Sequence, residues 1–443
     1  MISMASCSIR KHIPEDKMIL KSNKIIIHSK DIDFDKSDIS ACLSQSATPN
    51  ILGFMPATWV YYKTEDKSDK RLYKWINNTM GEKPVYYNDE LREQSVSKII
   101  KYLGDIGYFK SSVSNRIKNK RGIGKVYYEI HPSKPYIIDD ITYTIKDTTV
   151  YRYVMQIADV LPVKKGDIYN AFLLDDERDI ITEYLKNNGY YYFTQDYIFM
   201  EVDTNYSSRI AKINIRIDDA TDPITAQPEK HKQYYINNIY IYPNGNINGR
   251  FMVDTVAYTF NLNKRLGYQT FNFVFRGDPK IRFKTFDNII QLQSNNLYEL
   301  RKVEQTYKAL NNLKIFNLNN IDFEPVVTDH DSINLLNCNI TLNRSKVNFY
   351  SLQLEGTNSS GDLGILGSFT YRNKNIFRGS EIFNISLRAG TQAQSVLDSE
   401  GNTNLFNTKE FGVEASIFFP QFVSPIKLRD FAKERQPRTT LTV

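Results

Sequence analysis

The pattern that most constrains this chain is a helix closed by glycine or asparagine and followed at once by aromatic residues. It occurs three times. Leu91, Val96, Ile99, Ile100 and Leu103 share one face of a helical stretch, Asp89–Leu103, which ends in Asp105-Ile106-Gly107-Tyr108-Phe109. Ile180, Ile181, Tyr184 and Leu185 share a face of Asp175–Lys186, which ends in Asn188-Gly189-Tyr190-Tyr191. A third stretch, Arg301–Asn312, follows Asn296-Leu297-Tyr298 and ends in Lys314-Ile315-Phe316. Glycine and asparagine tolerate the left-handed conformation that closes a helix. The aromatic behind each closure is expected to begin a strand and pack back on its helix.

Each helix precedes two alternating runs joined by a polar turn: Phe109–Ile117 with Lys125–Ile130, Tyr197–Val202 with Ile210–Ile217, and Ile321–Val327 with Asn334–Asn343. Alternation with period two, broken by turn residues, predicts hairpins. A further strand opens each unit, at Lys24–His28, Tyr136–Ile145 and Tyr234–Tyr242. Strand, helical region, helix, strand, strand therefore recurs. It predicts three α+β modules over residues 24–134, 135–220 and 233–345, each with one sheet face covered by helices. Residues 1–23 form a leader remnant or linker. Three cores suit 443 residues, too many for one.

Two local features carry competing readings. The insertion at 51–82 holds Trp59 and Trp75, the only tryptophans, with Phe54, Tyr61, Tyr62 and Tyr73. It reads either as a docking surface for a partner or the bilayer interface, or as an insert packed on its own module. Asp175-Asp176-Glu177 is placed at the positive end of its helix dipole, a capping and solubility role.

The pattern changes after Arg344. No helical period follows, and five strands are expected, at Asn348–Glu355, Gly364–Tyr371, Glu381–Arg388, Phe411–Phe419 and Arg438–Val443. In Phe411–Phe419 the set Phe411, Val413, Ala415, Ile417 and Phe419 opposes Gly412, Glu414 and Ser416. Such two-sidedness suits a membrane barrel, with lipid outside and lumen inside, and suits a soluble sandwich nearly as well. No apolar run approaches the ~18 residues of a membrane-spanning helix, which leaves barrels open.

The chemistry-bearing residues argue against an enzyme. There is no Walker loop, complete GxGxxG, HExxH or GxSxG. His12, His28, His131, His231 and His330 are widely spaced in sequence. Gly122-Ile123-Gly124-Lys125 reads as a hairpin turn. A net charge of +7, spread along the chain, makes no nucleic-acid case. Cys42 and Cys338 read as buried thiols or an incidental pair. Cys7 follows Met4-Ala5-Ser6, small residues as in a bacterial lipoprotein signal, but six residues cannot supply the apolar stretch of such a signal. Either a leader lies upstream or the cysteine is coincidental.

The glycine–aromatic helix ends, the opening Pro135-Tyr136-Ile137-Ile138-Asp139-Asp140-Ile141 and the approach Lys165-Gly166-Asp167-Ile168-Tyr169 resemble POTRA (polypeptide-transport-associated) modules. Asn373-Lys374-Asn375-Ile376-Phe377-Arg378-Gly379 is similar to a turn early in the D15-type surface-antigen barrels of the BamA/TamA superfamily, with Arg378 where glycine is usual. Asn373, Asn375, Phe377 and Gly379 are its candidate turn residues. Cys7 followed by Ile13–Leu20 resembles the lipidated TamA-like branch and makes Cys7 a candidate lipidation site.

The resemblance implies α+β POTRA repeats followed by an antiparallel transmembrane β-barrel, of which only about the first five strands lie within residues 346–443. A C-terminally incomplete chain is the corresponding expectation, because an open sheet leaves backbone groups unsatisfied in lipid. It implies a cell outer-membrane location, with the N-terminal modules in the periplasm, and no enzymatic activity or cofactor. Implied partners are the outer-membrane bilayer, unfolded client proteins and periplasmic or inner-membrane accessory proteins, with no nucleic acid. The function implied is outer-membrane protein assembly or translocation by strand addition. The candidate seam is Phe349, Tyr350, Ser351, Leu352, Gln353, Leu354 and Glu355, with Tyr197–Val202 as a second choice. By parity, Thr357–Asp362 and Thr391–Glu410 would face outward, and Arg372–Gly379 and the basic Gln421–Pro437 would face the periplasm. A membrane-attached periplasmic adaptor that binds through its modules without forming a pore is the alternative.

Overall fold

Alternation sets the strands, and strand order then repeats. The computed structural model describes residues 9–29, 32–51, 54–65, 70–205, 207–222, 225–245, 254–263, 267–326, 333–359, 362–392, 408–420 and 438–443. The chain divides into two compact units, Met1–Ile181 with Thr194–Asp219, and Thr182–Phe193 with Ala220–Val443.

In the first unit, β1 (Ile19–Ile27), β2 (Ser112–Lys120) and β3 (Ile123–His131) form a sheet in the order β1-β3-β2, with β1 parallel and β2 antiparallel to β3. Between β1 and β2 lie α1 (Lys36–Ala41), α2 (Pro56–Glu65), α3 (Arg71–Met80) and α4 (Asp89–Asp105). The inward residues of β3, Val126, Tyr128 and Ile130, meet Ile99 and Leu103 of α4, as the heptad-like spacing anticipates. A capping box at Asp35 and Asp38 starts α1.

The next sheet repeats this order with β4 (Ile137–Ile145), β5 (Ile198–Asn205) and β6 (Ile210–Ile217) as β4-β6-β5. Its helices are α5 (Thr148–Ile157), capped by Asp147, and α6 (Ala171–Asn187). The start of α6 corrects one expectation. Asn170 Oδ1 accepts from Phe172 N, so the helix begins before the acidic triplet, which falls in its second turn rather than at the dipole end. Asp175 instead pairs with Arg178 at 3.2 Å. Glu177 is fully buried, and accepts from Val163 N at 3.3 Å. Burial pushes its carboxyl up to about 7, against smaller opposing effects of that hydrogen bond and of Lys164.

The insertion splits between its two readings. Met55 and Tyr62, at α2, are buried with Ile9 and Ile19 of the same module, and the Tyr62 hydroxyl lies 2.9 Å from that of Tyr86. In α3 no residue is buried, and Leu72, Trp75 and Met80 are exposed.

The second unit opens with a two-strand ribbon, β7 (Ala220–Thr221) and β8 (Pro228–Glu229). The third module follows with β9 (Tyr234–Tyr242), β10 (Asp254–Asn263), β11 (Gly267–Phe275), α7 (Leu300–Asn311), β12 (Phe316–Val326) and β13 (Asn334–Arg344). Its sheet order is β10-β11-β9-β13-β12. The helical region expected behind its first strand is therefore a hairpin, β10–β11, added at the β9 edge. Phe271, Phe273 and Phe275 lie two apart along β11 and bury with Phe260 of β10 and Phe286 in the module core.

Helix closure also differs at one place. Gly107 and Gly189 follow α4 and α6 at φ +88° and +93°. After α7, Asn312 stays right-handed and Lys314 takes the left-handed position at φ +59°. The aromatics behind the glycines do more than cover their own helix. Tyr108 is buried in its module, but Phe109 packs against Tyr136 and Tyr169, and Gly107 O accepts from Tyr136 N at 3.0 Å. In the second unit Tyr191 likewise meets Tyr234 and Tyr298, and Gly189 O accepts from Tyr234 N at 2.9 Å.

Five antiparallel strands in sequential order complete the chain: β14 (Asn348–Ser359), β15 (Asp362–Asn373), β16 (Ile382–Gln392), β17 (Thr408–Phe419) and β18 (Thr439–Thr442). All five expected strands are present, several of them longer than expected. Among the described residues, no helix is long and apolar enough to cross a membrane.

Candidate functional site

The register of the C-terminal sheet sorts its side chains into two surfaces. Tyr350 opposes Tyr371, which opposes Ile385, which opposes Ala415. Leu352, Phe369, Leu387 and Val413 form the next row, and Ile417 opposes Leu441 at the far strand. The result is one apolar surface across the sheet. It is bare: Leu352 is 82% exposed, Leu354 79% and Phe411 80%. A soluble sandwich would bury such a face.

The opposite surface is polar and cross-linked. Gln353 meets Ser368, Thr370 meets Ser386, Arg372 donates to Asn384 at 2.6 Å, and Arg388 pairs with Glu414 at 3.5 Å.

The candidate seam residues Phe349–Glu355 all lie on β14, an outer strand of this sheet. Lys374 N donates to Val347 O, which fixes the alternation of the ladder. Phe349, Ser351, Gln353 and Glu355 then pair with β15, whereas the main-chain groups of Tyr350, Leu352 and Leu354 point to the open edge. That edge offers a row of donors and acceptors to another strand.

The predicted turn residues assemble between β15 and β16 and seat on the third module. Asn373 Oδ1 accepts from Asn375 N, and Asn375 Oδ1 accepts from Ser380 N, both at 2.9 Å. Asn375 Nδ2 donates to Lys280 O at 2.8 Å, and Arg282 N donates to Arg378 O at 2.7 Å. Arg378 sits at φ +61°, where glycine is comfortable, and its guanidinium pairs with Asp278 at 2.8 Å. Gly379 N donates to Glu381 Oε2, and a Cβ at Gly379 would run into Arg282 and Glu381. Phe377 remains half exposed.

Sequence reasoning missed the strongest parts of this joint. Glu381, almost fully buried, forms an ion pair with Arg282, and Ser380, also buried, donates to Leu313 O. The partners stand 99 and 67 residues apart, so no local signal could have paired them.

In the first unit β5 is likewise an outer strand. Tyr197 O accepts from Asp218 N, so the main-chain groups of Ile198, Met200 and Val202 point away from β6. A groove of about 280 Å³ runs beside it, lined by Tyr169, Leu174 and Arg178 as well as Ile198, Met200 and Val202. The other modules blunt the corresponding edge. β2 carries Arg116, Lys118 and Lys120, and β12 carries Pro325 and a register shift between Leu318 and Asn320.

Other candidates resolve simply. Cys7 lies outside the described residues, as do all of Gln421–Pro437 and most of Thr391–Glu410. Cys42 and Cys338 are free thiols in separate units, Cys338 fully buried. His28, just past β1, and His131, at the end of β3, are distant in sequence and stack at 4.4 Å. Among the described residues, no group of three or more His, Cys, Asp or Glu could hold a metal.

The central module matches a known family. Residues 136–220 match the POTRA family model, described as a surface antigen variable number repeat. Among curated proteins none matches. Among solved structures, the chain is similar to POTRA3-5 of BamA from Haemophilus influenzae, at 9% identity and TM-score 0.35, covering 74% of this chain and 99% of that one. It is similar to BamA from Haemophilus ducreyi lacking POTRA domains 1-3, at 10% identity and TM-score 0.35, covering 64% and 48%. CdiB from Acinetobacter baumannii follows at 11% identity and TM-score 0.26, covering 65% and 41%.

Proposed function

We propose that this chain belongs to a non-enzymatic outer-membrane factor that assembles or translocates client proteins by strand addition, with its modules in the periplasm. The observation that carries the reading is the C-terminal sheet, apolar and bare on one face, polar and hydrogen-bonded on the other, with β14 open at its edge. Exposing such a face to water is costly, since burial is worth roughly 25 cal/mol per Å² of apolar surface. Lipid removes that cost. The nine residues Phe411–Phe419 extend about 27 Å along a strand, or about 21 Å across a bilayer at a tilt near 40°, close to the apolar band of membrane barrels.

An incoming unfolded client would pair with the outward main-chain groups of Tyr350, Leu352 and Leu354, which demands little of its sequence. The turn at Asn373–Glu381 would face the periplasm, next to the third module. Residues 24–134, 135–220 and 233–345 act in this reading as separate docking modules for clients and accessory proteins. The groove beside β5 supports a second reading, an adaptor that binds strands through its modules without forming a pore.

A photo-crosslinking amino acid at Leu352, compared with one at Met200 and one at Ser386 in the middle of the sheet, separates these. Client adducts at Leu352 well above those at Ser386 are expected. Adducts at Met200 alone would favour the adaptor, and adducts at neither edge would refute strand addition.

A further inference from the structure

The polar face of the C-terminal sheet contains a cavity of about 460 Å³ with an unusual charge balance. Four cations line it: Lys314 behind α7, Arg372 and Lys374 at the end of β15, and Arg438 before β18. Among the described residues no carboxylate lines it. The acids nearby already have cationic partners, Glu381 with Arg282, Asp278 with Arg378 and Glu414 with Arg388. Ile382 and Phe418 supply an apolar part of the wall, and the Arg438 guanidinium lies 5.8 Å from the Phe418 ring centre.

Like charges gathered in a concave, partly apolar space repel one another and raise the local concentration of anions. The hydrogen bond from Arg372 to Asn384 holds one guanidinium in place without neutralising it. Guanidinium and ammonium groups together suit phosphate oxygens, the former by paired donation and the latter as a point charge. A single carboxylate would leave most of the positive charge uncompensated, whereas a group with two or more negative charges would offset at least half of it.

We propose that this cavity binds an organic phosphate carrying at least two negative charges beside an apolar portion, as in a phosphorylated lipid headgroup. The inference stands apart from strand addition, because none of its residues belongs to the β14 edge or the β5 groove.

The test uses the full chain in non-ionic detergent and follows ³¹P NMR titrations with two phosphate probes. Dihexanoyl phosphatidic acid is expected to saturate, with inorganic pyrophosphate about tenfold weaker for want of an apolar part. Equal affinity for the two would overturn the apolar portion and leave free phosphate as the ligand. Arg372→Gln with Lys374→Gln should weaken both probes at least tenfold. Lys314→Gln with Arg438→Gln, which leaves the Arg372–Asn384 bond intact, should do the same and guards against a folding defect in the first pair. No saturable binding of either probe, or unchanged binding in both double variants, overturns the site. Hexanoate binding as tightly as phosphatidic acid overturns the assignment to phosphate.

Discussion

Replacing Glu177 with glutamine should flatten the pH response of the central module. The carboxyl is fully buried, and burial raises it from an ordinary 4.5 to about 7. The native state therefore prefers the neutral acid more strongly than the unfolded chain does. The sign follows: this stabilisation is complete below about pH 4.5 and is lost as pH rises through about 7, opposite to a salt-bridged carboxylate. Over that interval the linkage amounts to about 3 kcal/mol, of which about 2 kcal/mol falls between pH 5.5 and 8. Hydrogen exchange of the β4 and β6 amides reports this locally, without assuming that so large a chain unfolds in one step. After correction for intrinsic exchange, protection in β6 should fall roughly thirtyfold between pH 5.5 and 8 in the native sequence. In Glu177→Gln the slope should vanish, and at pH 8 the variant should be the more protected. A flat native profile, or a variant that tracks it in parallel, refutes the reasoning.

Glu381→Ala removes the partner of Arg282 and the acceptor of Gly379 N. Arg282 is itself half exposed, so the loss should be about 2 kcal/mol rather than the full cost of a buried pair, read as faster exchange in the Asn373–Glu381 turn. Glutamine at the same place should recover part of it. Met200→Pro deletes an outward donor of β5 while sparing the ladder to β6, so it should abolish strand docking at that groove for about 1 kcal/mol of module stability, measured by crosslinking beside chemical denaturation. Gly107→Ala places a Cβ 2.6 Å from Tyr169 O at φ +88°, and should loosen the contact with Tyr136 by at least 1–2 kcal/mol, seen in exchange of the Tyr136 amide.

Much of the fold was legible because its signals are local. Period-two runs placed β3, β6, β13 and the five C-terminal strands, and the glycine after α4 or α6 marks a left-handed turn that closes the helix. Failures occurred where a local rule met a distant partner. The acidic triplet looked like an end cap, yet Asn170 starts the helix earlier and tertiary burial claims Glu177. Phe109 and Tyr191 looked like lids for their own helices, yet each faces the aromatic opening of a following sheet. The β10–β11 hairpin was hidden because its alternating Tyr and Phe residues have meaning only beside β9 and Phe286.

The candidate site divides in the same way. Sequence marked Phe349–Glu355 as a two-faced strand and Asn373–Gly379 as a turn, since alternation and turn chemistry are written in neighbouring residues. That β14 is outermost, that Arg282 reaches Glu381, and that four cations from three segments share one cavity are facts of pairing across distances the chain does not encode locally. The sequence by itself determined most strands and the two chemical faces of the terminal sheet, because side-chain direction repeats every second residue along a strand. Tertiary structure alone decided which edges stay open and which charges meet, because those depend on where the chain returns in space.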